Sequence, residues 1–305
     1  MSLRLVLALF ISFLGTTSYS QADSLQVYTL FSWEEEWLLW CEQNSCVSTD
    51  TSLWNGVGEP NLELDTTAIR ERLEILDRSS ELDLRWNPIA HSRIAYYVKR
   101  RKQGLGTMLG RAPQYFPLFE EILDREGLPL ELKYLTVVES GLNPEARSHA
   151  GARGLWQFMY YTAKAEGLRI DSYIDERKDP FRATEAACKH LNRLYKRYDD
   201  WYLALAAYNA GEGRIRRGTR LHQTSDFWQL HSLPRETRNY MPYFLAATIM
   251  AKDPKEYGFT KKEKTKKPYA YDSVVIEKSA DLTVLANAAG VSFKTLQGLN
   301  PELRQ

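Results

Sequence analysis

The chain has 305 residues, 44% of them hydrophobic and 26% charged, which is the balance of a globular protein and excludes a low-complexity or fibrous one. Forty Lys and Arg face 39 Asp and Glu, for a net charge of +1, so no overall basic field points to nucleic acid as a partner. Eight Trp and 18 Tyr make it rich in aromatic faces, which either stack on sugars or fill cores.

Residues 1–22 read as a secretory signal peptide: Arg4, an apolar run over 5–14 broken by Ser12, then small and polar residues. The apolar run is about half the roughly 20 residues a membrane-spanning helix needs, so no stable anchor is expected after cleavage. The cysteine nearest that run is Cys41, which leaves no lipid-acceptor Cys beside it and points to a soluble, exported, periplasmic product. Cys41 and Cys46 form either a small-loop disulfide or two thiols. Cys188, beside the stripe Ala187, Leu191 and Leu194, reads as a buried small hydrophobe. The five His show no ligand spacing, and neither a metal nor a cofactor is expected.

Residues 23–112 form a mostly helical N-terminal extension. Helices are expected around 32–41, over 66–78 with Ile69, Leu73 and Leu76 on one face, and over 91–102. The domain 113–251 reads as all-α: helices over 113–125, 129–140, 162–166, 183–198, 202–210 and 234–250. Pro117 is placed near a first turn, and Gly211 and Gly213 are read as stops. Residues 252–270 form a charged linker. Within 271–305 a strand over 271–277 precedes two short helices, 281–289 and 293–299, with no second strand following to pair it.

One side chain breaks the apolar pattern. Leu132, Leu135, Val138 and Leu142 share a helical face, and Glu139 lies on it. A carboxyl driven toward an apolar interior holds its proton more tightly, and a protonated acid at neutral pH is what glycosidic-bond cleavage requires. The competing expectation is a Glu that neutralises a buried Arg or caps a neighbouring helix.

Glu139-Ser140-Gly141-Leu142-Asn143-Pro144, followed by Ser148-His149-Ala150-Gly151-Ala152-Arg153-Gly154-Leu155-Trp156-Gln157-Phe158-Met159, resembles the SLT domain of bacterial lytic murein transglycosylases. Asp175-Glu176-Arg177-Lys178-Asp179-Pro180, Ala204 to Gly211 and Glu236-Thr237-Arg238-Asn239-Tyr240 resemble its later motifs, in order across roughly 115–250. The segment Gly290-Val291-Ser292…Leu299-Asn300-Pro301 is similar to part of a LysM module, with Ser279-Ala280-Asp281-Leu282 in place of the usual Gly-Asp-Thr-Leu.

The resemblance implies a mainly α, goose-lysozyme-like fold with a small α/β LysM-like tail. It implies cleavage of the β-1,4 bond between N-acetylmuramic acid and N-acetylglucosamine in peptidoglycan glycan strands, with closure of a 1,6-anhydro ring. Glu139 is then the sole acid/base. Ser148, Gln157, Met159, Tyr208, Asn209 and Tyr240 are implied as substrate-binding residues. Turn capping competes for Ser148 and Gln157, and packing for Met159 and Tyr208. Glu236 reads as structural, and Asp175, Arg177 and Asp179 as an ion-pair and capping cluster, unless Asp175 serves as a second carboxylate. Gly151 and Gly154 read as turn formers, Gly154 also as a point of close sugar approach. The competing functions are a muramidase and a non-catalytic peptidoglycan-binding module.

Overall fold

The computed structural model describes residues 3–7, 66–78, 80–82, 84, 102–252, 254–255, 272–276 and 279–304. The expected helices at 32–41 and 91–101, the Cys41–Cys46 pair and most of the 252–270 linker lie outside them. In chain order the described elements are β1 (Leu3–Leu7), α1 (Thr66–Arg78), α2 (Lys102–Arg125), a 3-10 turn (Leu130–Tyr134), α3 (Leu135–Ser140), α4 (Tyr160–Ala165), α5 (Pro180–Tyr198) and α6 (Trp201–Ala210). They continue with α7 (Glu212–His222), a 3-10 turn (Phe227–Gln229), α8 (Arg235–Lys252), β2 (Asp272–Ile276), α9 (Leu282–Ala288) and α10 (Phe293–Leu299). The protein is mainly α, as the periodicity predicts.

The centre is α6. Its sequence WYLALAAYNA is apolar almost all round, and such a helix is stable only when enclosed. It packs against α5, α7 and α8. Asp200 starts it by accepting the amide of Leu203 at 2.7 Å. Asp179 does the same for α5, accepting the amides of Phe181 and Arg182 at 2.8 and 3.0 Å, with Pro180 in the first turn. Around α6 the largest buried side chains are Trp156, Tyr240, Phe119 and Phe244.

The structure corrects four expectations. α2 is one helix of 24 residues with Pro113 and Pro117 inside it, rather than a helix starting at 113. Each proline removes an amide donor, but Met108, Ala112, Tyr115, Phe119 and Ile122 bury one continuous face across both. The segment expected as one helix over 129–140 is a 3-10 turn followed by α3. Gly211, at φ +83°, ends α6, yet Gly213 lies inside α7, a helix the sequence reading missed. Strand β2 is also partnered: it runs antiparallel to β1, with Leu3 opposite Ile276 and Leu7 opposite Asp272.

The C-terminal segment returns to the helical domain. α9 and α10 pack on each other around Ala286 and Leu296. Beyond them Asp175 donates its amide to the Glu302 carbonyl at 2.8 Å, and Arg304 donates its amide to the Tyr173 carbonyl at 2.8 Å.

Candidate active site

Glu139 is positioned by how α3 ends. Gly141 at φ +57° and Leu142 at φ +58° turn the chain back, and their amides close on the carbonyls of Val137 and Thr136, both at 3.1 Å. A Cβ at position 141 would lie 3.0 Å from Met108 Cε, so glycine suits the turn on both counts. Leu142 holds a left-handed conformation while its side chain is fully buried. The Ser140 hydroxyl sits 2.9 Å from the carbonyls of both Thr136 and Leu155, tying α3 to the following loop.

The other residues of α3 are buried, including Leu135, Val138 and Ser140; Glu139 keeps partial exposure. Tyr240, on α8 and only 2% exposed, donates its hydroxyl to Glu139 Oε1 at 2.5 Å. Burial raises the Glu139 carboxyl to a pKa of about 8; the Tyr240 hydrogen bond pulls it down, and the charge of Glu236 pushes it up again. Among the described residues no Lys or Arg pairs with Glu139. It is therefore neither the neutraliser of a buried Arg nor a helix cap. Burial, and then Glu139 itself, hold Tyr240 well above the usual phenol range, so it remains a neutral donor.

Glu236 had read as structural, and its electrostatic role was missed. The signal was its spacing: four residues before Tyr240 on α8, it stands on the same helical face.

Tyr208, on α6, is brought to the same site. Its hydroxyl donates to the Trp156 carbonyl at 2.7 Å, and burial followed by the Glu139 charge raises its pKa well above normal. Asn209 is half-buried beside it, where α6 ends. The loop between α3 and α4 carries the remaining candidates. Ser148 Oγ accepts the Ala152 amide at 3.0 Å, a turn-capping bond. Gln157, at φ +47°, donates Nε2 to the Gly154 and Ala146 carbonyls at 2.8 and 3.3 Å, bracing the loop. Met159 is 45% exposed, so it is not core. Trp156 is fully enclosed, its Nε1 donating to Thr184 Oγ1 at 2.8 Å.

Gly154 is approached by protein and not by a ligand. A Cβ there would sit 1.7 Å from the Arg177 carbonyl oxygen. Asp175 is 0% exposed and held by Arg177 through two 2.8 Å contacts, by Arg304 at 3.2 Å and by Arg153 at 3.7 Å. Burial alone would raise its pKa, but the bonds and charges of these arginines hold it below the usual range. Arg177 in turn donates to the Gly151 carbonyl at 3.1 Å and reaches the Phe158 carbonyl at 3.4 Å. Asp175 thus fastens a loop, and the second-carboxylate role finds no support in its geometry. Among the described residues no cluster of His, Cys, Asp and Glu suits a metal.

The arrangement is one carboxyl of raised pKa, partly exposed and bonded to a buried phenol, on a helical scaffold. The family model described as "Transglycosylase SLT domain" matches residues 117–231, the span that contains Glu139. Over 206 residues the chain is 34% identical to membrane-bound lytic murein transglycosylase D of Escherichia coli strain K12, covering 66% of this chain and 45% of that protein. It is 38% identical over 130 residues to peptidoglycan transglycosylase gp16 of Escherichia phage T7, 42% of this chain and 10% of that one. The crystal structure of the 70 kDa soluble lytic transglycosylase from Escherichia coli superposes with a TM-score of 0.40 at 20% identity, over 67% of this chain and 38% of that one. The chain thus spans less than half the length of the curated relatives just named.

Proposed function

We propose that this protein is a peptidoglycan lytic transglycosylase that cleaves the β-1,4 bond between N-acetylmuramic acid and N-acetylglucosamine, with Glu139 acting first as acid and then as base. The observation that carries this reading is the Glu139 carboxyl, set in an apolar helix face with its pKa pushed up to about 8 by burial and held at 2.5 Å by the Tyr240 hydroxyl. Hydrolases ordinarily use two carboxylates, one of them to activate water or attack the sugar. A single carboxyl suffices when the nucleophile belongs to the substrate. Glu139 gives its proton to the leaving glycosidic oxygen as the bond from C1 breaks. The resulting carboxylate takes the proton of the 6-hydroxyl on the same muramic residue. O6 then bonds to C1, the 1,6-anhydro ring closes, and Glu139 is protonated again. Intramolecular attack has the advantage of proximity, and a positioned acid/base contributes about 10²–10⁴-fold in rate.

Tyr208, Asn209, Ser148, Gln157, Met159 and Tyr240 form the proposed sugar-binding set. Met159 presents an exposed apolar face for a sugar ring, and no described residue donates to Gln157 Oε1, which suits it to accept from an N-acetyl N–H. The Tyr240 hydroxyl belongs equally to the catalytic group, since it touches Glu139. We place the enzyme in the periplasm after removal of residues 1–22, a cleavage that takes β1 away and leaves β2 without the partner it has in the full chain. Among the described residues no helix is long and apolar enough to cross a membrane. The 271–305 segment is proposed as a LysM-like piece.

The test is mass spectrometry of purified sacculi after digestion. Anhydro-muropeptides are expected, and Glu139→Gln should release none. Reducing-end muropeptides, lost on Asp175→Asn, would instead establish a muramidase. Sacculus binding with no product released would establish a binding module.

A further inference from the structure

The chain is close to neutral as a whole, yet one helix segregates its charge. α7 carries Arg214, Arg216, Arg217 and Arg220 against a single acidic residue, Glu212, and Glu212 is already paired with Arg197. Ile215 and Gly218 face inward and fix how the helix lies. Ile215 is fully buried, and Gly218 is packed so closely that a Cβ would stand 3.4 Å from Leu233 Cδ2. With those two inward, the four arginines and Leu221 fan across about 160° of the opposite side at 100° per residue. All five are exposed, Leu221 by 63%. Among the described residues no carboxylate pairs with Arg216, Arg217 or Arg220.

The face lies next in the chain to the proposed site: α7 starts at Glu212, separated by Gly211 alone from the end of α6 at Ala210. Arg214 donates Nη1 to the Ala210 carbonyl at 2.9 Å, at the end of the helix that carries Tyr208 and Asn209. Guanidinium groups bind carboxylates through paired N–H donors and carry their charge at every accessible pH.

We infer that the arginine face of α7 is a docking surface for the carboxylate-bearing peptide substituents of the glycan strand, which makes peptide-bearing strands the preferred substrate. The inference rests on the function proposed above. A single exposed ion pair contributes little. An array of unpaired cations on one face raises the local concentration of an anionic polymer and sets its register. The exposed Leu221 adds apolar contact within the same face.

The experiment measures binding rather than cleavage, so its outcome is separate from that of the product assay. Full-length protein is titrated with soluble peptide-bearing glycan strands and with strands stripped of peptide by an amidase. Peptide-bearing strands should bind roughly tenfold more tightly at low salt, and the preference should shrink as ionic strength rises past the point where the screening length falls below about 10 Å. The triple variant Arg216→Gln, Arg217→Gln, Arg220→Gln should lose most of that preference. The salt titration of the unmodified protein reads the same property without any substitution. Equal binding of both strands at low salt overturns the inference. So does a triple variant that keeps its strand preference but loses binding to vesicles of phosphatidylethanolamine and phosphatidylglycerol; that outcome would assign the face to a lipid surface.

Discussion

The Tyr240 hydroxyl and Glu139 Oε1 stand 2.5 Å apart although 101 positions separate the two residues in the chain. The phenol stabilises the charged carboxylate, while burial and Glu236 stabilise the neutral acid. A group that must both give and take a proton benefits from this opposition.

Removing the hydroxyl tips the balance one way. Tyr240→Phe should raise the Glu139 pKa further and lower kcat by about tenfold to a hundredfold, since the orienting bond is lost. The fold should survive, because the ring still fills its site. A pH–rate profile whose alkaline limb shifts upward checks the prediction; an unshifted limb counts against it.

Activity should fall as pH rises through about 8, where Glu139 loses its proton. Stability has the same sign. Below the ordinary carboxyl value of 4.5 the group is protonated whether the chain is folded or not. Between 4.5 and about 8 the unfolded chain ionises while the folded one retains its proton, so stability declines with rising pH. Glu139→Gln removes that decline. Its unfolding free energy should exceed that of the parent at pH 9 by a difference on the order of a few kcal/mol, and match it near pH 4.

Asp175→Asn should act on the fold and not on the chemistry. It leaves Arg177, Arg304 and Arg153 around an uncharged side chain, and breaking such a buried pair costs about 3–5 kcal/mol. Denaturant unfolding should show the loss, while kcat per folded molecule stays within about twofold.

Gly154→Ala should be severe. Its φ of +82° disfavours any Cβ, and the Arg177 carbonyl occupies the space; a loss of about 3 kcal/mol or more is expected. Gly151→Ala, at φ +84° with open space around it, should cost only about 1 kcal/mol. Thermal melts of the two variants side by side test the contrast.

The docked C-terminal segment should loosen with alkali. Glu302 is buried, and its carboxyl is pushed up by burial and by the charge of Asp179. Ionising it as pH rises weakens the contact of residues 302–304 with the 171–179 loop. Glu302→Gln should protect the Asp175 and Arg304 amides from hydrogen exchange at pH 9, with little change at pH 5.

Much of this was legible in one dimension. The alternation of apolar and polar residues marks α1 and α5, because helix formation and burial answer to the same local period, while α6 reads as an almost unbroken apolar run. Asp179 before Pro180, and Gly141 after Ser140, announce a helix start and a helix end through backbone chemistry alone. α7 escaped notice because its two glycines and four arginines hide the period, and only Ile215 and Gly218 pack inward. The prolines of α2 misled in the same way: local preference opposes a helix that the buried face sustains.

What the sequence determined by itself is a lone carboxyl set among leucines and valines on one helical face, because the spacing of apolar residues decides which face turns inward. What only the tertiary structure decided is the company that acid keeps. Tyr240 reaches it from α8, Glu236 raises its proton affinity from the same helix, and Asp175 is kept from the chemistry by three arginines, one of them 129 residues further along. The near sequence marks the face that turns inward; desolvation, charge and hydrogen bonding all act through space, and the fold alone sets those distances.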